Sequence, residues 1–76
     1  MLTQELVANY QEKRLIRIRE VMALTSLSKS YIYQLTAQGK FPKRVQLVKG
    51  GSSVAWLESE VLAWIEARLT ERNLNQ

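Results

Sequence analysis

The sequence predicts a mainly α domain with a small β-hairpin, in the plan of a winged helix-turn-helix. Three observations lead there. Two short helical patterns are separated by the polar break Thr25-Ser26-Leu27-Ser28. An alternating run and a Gly-Ser cluster then describe a hairpin, and a longer helical pattern closes the chain. Positive charge is also concentrated: residues 13–49 hold nine lysines and arginines against one acid, Glu20, so this segment carries +8 in a chain of net +4.

Taken in order, residues 1–13 place Leu2, Leu6 and Tyr10 at four-residue spacing, with Thr3 as a candidate N-cap. That pattern suits either a short amphipathic helix docked on something or a partly ordered extension, because an isolated helix of this length is marginal in water. Leu15-Ile16-Arg17-Ile18 is a half-alternating run that forms a short strand or leads into the fold. Arg19 to Thr25 reads as the first helix, with Val21, Met22 and Leu24 as its apolar contacts. Ser28 is the expected N-cap of the second helix, because its hydroxyl can accept from an otherwise unpaired amide in the first turn. That helix should run to about Gln38, where Gly39 supplies a left-handed cap.

Phe41-Pro42 enforces an extended turn, since proline disfavours helix at the residue before it. Val45-Gln46-Leu47-Val48 alternates as a half-buried strand does, Lys49-Gly50-Gly51-Ser52-Ser53 is a turn cluster, and Val54-Ala55-Trp56 pairs back. From about Glu58 a longer helix begins, and Leu57, Val61, Trp64, Ile65 and Leu69 follow the helical period, with Leu62 bordering their stripe. Glu58 and Glu60 suit the positive end of its dipole. The expected organisation is an N-terminal extension over 1–13, one domain over 14–71 and a frayed end over 72–76.

Composition narrows the chemistry. A hydrophobic fraction of 46% in 76 residues supports one small core, so most large apolar side chains must be structural. With no cysteine and no histidine, disulfides, thiolate metal sites and the usual base near neutral pH are absent. Glu58, Glu60 and Glu66 have no histidine or aspartate beside them, and the first two are accounted for by the helix dipole. Gly50-Gly51 is a turn and not a phosphate loop, because no Gly-Lys-Ser/Thr opens a helix there. An enzyme is therefore unsupported, and no cofactor, metal or small-molecule ligand is expected. No signal-like segment opens the sequence and no apolar run can span a bilayer, so a cytoplasmic, nucleoid-associated protein away from membranes is expected.

Localised positive charge repels itself unless a polyanion neutralises it, which points to nucleic acid. In this fold plan the second helix of the motif enters the major groove. A helical wheel of residues 28–38 puts Tyr31, Ile32 and Leu35 on the inner side and Lys29, Ser30, Tyr33, Gln34 and Ala37 on the outer one. Gln34 suits adenine, Lys29 a guanine or a phosphate, and the Tyr33 hydroxyl either; Ser28 caps and Ser30 joins the outer face. Lys40, Lys43, Arg44 and Lys49 follow as candidates for phosphates, and Arg14, Arg17 and Arg19 precede the first helix in the same capacity. Trp56 and Trp64 are read as core, and Phe41 as a plug for its loop.

The ordered series Arg14-Leu15-Ile16-Arg17, Glu20-Val21, Leu24-Thr25, Leu27-Ser28, Ser30, Ile32-Tyr33 and Leu35 resembles the opening half of the AlpA family of small phage-type regulators. Gly39, Phe41-Pro42-Lys43, Val45, Leu47, Trp56 to Val61 and Ala63-Trp64-Ile65 continue the resemblance through residue 69. It implies a winged helix-turn-helix related to excisionases and MerR-like proteins. The implied function is sequence-specific binding of duplex DNA to regulate a phage or integrated element, acting on an integrase or excision gene. Two features depart from the pattern. The loop before Trp56 is longer, with serine where an arginine is expected, which leaves Lys49 as the candidate wing contact; and residues 1–13 lie outside the resemblance. An excisionase-like architectural protein bending attachment-site DNA would use the same residues. The reading from another class is a protein-interaction module whose basic face docks an acidic partner, or which self-associates through Leu2, Leu6 and Tyr10.

Overall fold

The computed structural model describes residues 12–74. The helix expected around Leu2, Leu6 and Tyr10 lies outside them. In chain order the elements are β1 (Leu15–Ile16), α1 (Ile18–Thr25), α2 (Lys29–Ala37), β2 (Val45–Gln46), β3 (Val54–Leu57) and α3 (Glu58–Leu74).

Helix α1 stops because Ser26 turns left-handed at φ 63°, with its amide donating to the Met22 carbonyl at 2.8 Å. Thr25 closes the same turn, its hydroxyl donating to the Val21 carbonyl and accepting from the Leu27 amide. Three residues later α2 begins at the expected cap, where the Ser28 Oγ accepts from the Tyr31 amide at 3.2 Å. At the other end the Lys40 amide donates to the Leu35 carbonyl and the Gly39 amide to the Thr36 carbonyl, with Gly39 at φ +72°. That double closure is a Schellman motif, which satisfies carbonyls the helix leaves unpaired.

Strand β3 is central in a three-stranded antiparallel sheet of order β1-β3-β2. Leu15 faces Leu57 and Ile16 faces Trp56 on one side, while Val45 faces Ala55 and Gln46 faces Val54 on the other. The expected hairpin is present but β2 is shorter than Val45–Val48. Val48 instead opens a turn in which the Gly51 amide donates to its carbonyl at 2.9 Å and Gly50 takes φ +79°, as the third residue of a type II turn does. Three helices with a small three-stranded antiparallel sheet are compatible with the winged helix-turn-helix plan that the sequence predicts.

Every element except β2 places a side chain in the core cluster: Ile16 from β1, Val21 from α1, Ile32 from α2, Trp56 from β3 and Val61 from α3, with Phe41 added by the loop. Burying a side chain of this size contributes about 1.5–3 kcal/mol, so each of these contributions matters to a domain this small. Phe41 plugs its loop as expected, meeting Trp64 edge to face at 5.0 Å, while the Trp64 indole donates to the Lys40 carbonyl at 2.8 Å. The Trp56 indole N–H, by contrast, is buried without a partner among the described residues.

Helix α3 departs from expectation at its end. It continues to Leu74, where the sequence suggests a frayed end over 72–76. Residues 66–74 are all exposed, so tertiary packing does not hold this stretch. Good helix formers, the Arg68–Glu71 pair at 3.1 Å and Arg72 near the negative end of the dipole account for it. Among the described residues no helix is long and apolar enough to cross a membrane.

Candidate nucleic-acid interface

Helix α2 is anchored by Ile32, which is completely buried, with Tyr33, Leu35 and Thr36 half-buried around it. At about 100° per residue, Gln34 falls nearly opposite Ile32, and it is exposed together with Lys29, Ser30 and Ala37. The expected outer face therefore exists, with one correction. Tyr31, expected inside, is 48% exposed, whereas Tyr33, expected outside, packs its ring against Trp56 with centroids 5.9 Å apart. The two tyrosines flank Ile32 symmetrically on the wheel, and the indole lies on the Tyr33 side. Tyr33 is thus withdrawn from the free face and Tyr31 joins it. Periodicity carried no signal for this exchange.

The electrostatics of α2 favour an anion in front of it. Its first turn contains Lys29 and no acid, so the positive end of the dipole and the unpaired amides there are not offset. Helix α1 likewise begins between exposed Arg17 and Arg19, with Glu20 as its one acid. Arginines in those positions oppose helix stability, which is tolerable where an external polyanion compensates.

The remaining cations are distributed around α2. Lys40 follows its C-terminus, Lys43 and Arg44 occupy the segment into β2, and Lys49 sits in the hairpin turn; all four are exposed. Among the described residues, ion pairs involve Arg14 and Arg68 but none of Arg17, Arg19, Lys29, Lys40, Lys43, Arg44 or Lys49. Arg14 is the second correction. Its guanidinium donates to both Glu20 and Glu58, and its carbonyl accepts from the Glu58 amide at 2.8 Å. It clamps the approach to β1 onto α1 and α3, which leaves it poorly placed to grip phosphate.

The structure brings Tyr33 and Arg44 together, the guanidinium carbon lying 5.5 Å from the ring centroid. Both line a cleft of about 450 Å³ whose other walls are Gln46, Gly51, Ser52 and Val54. Gln46 and Ser52 were not singled out from sequence. Their place depends on the β2–β3 register, which two-residue strands do not announce. Among the described residues, no hydrogen bond or ion pair ties Arg17, Arg19 or Lys49 to this cleft.

The family model described as prophage CP4-57 regulatory protein (AlpA) matches residues 14–69, most of the chain and all of the elements just described except the end of α3. The chain belongs to the AlpA family. A relative from Enterobacteria phage P4, an uncharacterized protein named ORF88, is 49% identical over 61 residues, covering 80% of this chain and 67% of its own. This AlpA-family protein is therefore a phage-associated regulatory domain. Its candidate interface is the exposed face of α2 with the cations on either side.

Proposed function

We propose that this AlpA-family protein binds duplex DNA sequence-specifically and regulates transcription of a phage or integrated element, with an integrase or excision gene as its target. One observation carries the reading. The exposed surface of α2 presents Lys29, Ser30, Tyr31 and Gln34, free of carboxylates, beside Lys40, Lys43 and Arg44, which have no ion-pair partner among the described residues. A rigid, core-anchored helix with an amide at the centre of its free face can read base edges while flanking cations hold phosphates.

In this arrangement Gln34 pairs with a base, Lys29 and the two hydroxyl residues reach base or phosphate, and the cations beyond α2 fix the register. Arg17, Arg19 and Lys49 contact the backbone at the margins. The long hairpin without an arginine makes Lys49 the wing contact.

Fluorescence anisotropy with labelled duplexes, followed by selection of bound fragments from random and phage DNA, tests the reading. Binding should weaken steeply with salt, by a slope of about −0.9 per phosphate contacted, and selection should recover a defined site. Tandem sites beside an attachment core would move the assignment to the architectural, excisionase-like role. No retention on any duplex at low salt would replace DNA by a protein partner.

A further inference from the structure

The cleft between α2 and the hairpin is a polar site with one orienting device. Arg44 lies over the Tyr33 ring at 5.5 Å, and Tyr33 is itself fixed against buried Trp56 at 5.9 Å. The guanidinium therefore lies over a ring that is itself anchored in the core. A cation–π contact uses none of the guanidinium's N–H donors, and its planar fork matches phosphate in two-pronged geometry. No acid lines the cleft, and Arg44 has no carboxylate partner among the described residues.

The opposite wall is held equally well. Gln46 donates its side-chain N–H to the Gly51 carbonyl at 2.9 Å, which ties the hairpin tip back onto β2. Ser52 lines the hairpin side of the cleft and brings a neutral hydroxyl donor to it. An unpaired guanidinium on one wall and a hydroxyl on the other suit a singly charged oxyanion. The place of the cleft, beside the exposed face of α2, is where a backbone strand would pass.

We propose that this cleft seats one phosphodiester of the DNA backbone, with Arg44 as its ligand and Tyr33 as the positioning residue that holds Arg44 ready. The proposal rests on the DNA-binding reading and deepens it. Arg44, approaching from the α2 side of the hairpin, supplies the guanidinium that the serine-bearing loop lacks. Tyr33 is then an orienting platform and its hydroxyl reads no base.

The test is a set of anisotropy titrations across salt with Arg44→Ala, Arg44→Lys, Tyr33→Phe and Tyr33→Leu, each first checked for its melting temperature. Arg44→Ala should lose about tenfold in affinity on every duplex and lower the salt slope by about 0.9, with melting unchanged. Arg44→Lys should keep the slope and lose affinity, because an ammonium keeps the charge without the planar fork. Tyr33→Phe keeps the ring and should match the wild type in slope and in sequence preference. Tyr33→Leu should weaken binding in the wild-type background but not in the Arg44→Ala background, and this coupling survives any small loss of stability.

A wild-type slope and affinity in Arg44→Ala, with DNA still bound, overturns the seat and leaves the DNA-binding reading intact. Lost sequence preference in Tyr33→Phe returns the hydroxyl to base reading and overturns the positioning role. If the wild type itself binds no duplex, both fall together. Inorganic phosphate at matched ionic strength should move the Arg44 side-chain resonance no further than chloride does; saturation by phosphate would identify a small-anion site and overturn the backbone assignment.

Discussion

Tyr33 of α2 and Trp56 of β3 meet edge to face, their planes inclined by 65° and their centroids 5.9 Å apart. This contact sets the rotation of α2 about its own axis. With Ile32 buried in either case, holding Tyr33 against the indole is what leaves Ser30, Tyr31 and Gln34 free. Such aromatic pairs contribute about 0.5–1.5 kcal/mol beyond the area they bury.

Removing that ring should therefore be costly. Tyr33→Ala is expected to lower stability by about 2–3 kcal/mol, below the range for a fully buried aromatic because Tyr33 is only half-buried. Urea denaturation measures it, and a midpoint equal to the wild type would deny the contact its structural role.

Ile32 is the single completely buried residue of α2 and packs within the central cluster. Ile32→Ala should cost about 2–5 kcal/mol, enough to unfold much of a domain this small. The readout is the thermal midpoint. A shift of only a degree or two would mean that the helix is anchored elsewhere.

Gln34 makes no side-chain hydrogen bond among the described residues and lies on the exposed face. Gln34→Ala should leave melting unchanged and cost about 1–3 kcal/mol of binding on the preferred site, with relaxed preference at one base pair. Equal affinity for the selected site and its variants, measured by competition, would remove Gln34 from the reading surface.

Gly39 sits at φ +72° with open space around the position a Cβ would take. Gly39→Ala should thus meet no clash and show conformational cost alone, about 1–2 kcal/mol. Calorimetry reads it directly. A variant as stable as the wild type would indicate that the helix end relaxes into another turn.

Much of the framework was legible because its signals are local. The Ser28 cap, the Gly39 terminus and the turn at Gly50 each depend on a few neighbouring residues, and all three are where the sequence put them. The excess of cations over residues 13–49 needed no structure at all. The less legible features involve partners distant in the chain. Strand β1 is only two residues long, so it carries no period, and its pairing with β3 comes from register across forty residues of chain. Arg14 reads as a free cation until α1 and α3 fold to bring Glu20 and Glu58 beside it. The end of α3 is polar throughout, which reads as fraying in sequence, although a helix can be held by its own side-chain pairs.

By itself the sequence determined that a capped, amphipathic helix would stand at the centre of a positively charged segment, because capping, periodicity and charge act over a few residues. It could not choose between Tyr31 and Tyr33, which lie at equal angles on either side of Ile32. Only the tertiary structure made that choice, by placing the Trp56 indole on one flank, and the same placement brought Arg44 over the ring. A helical repeat defines a face, but the neighbour packed beside it decides where that face ends.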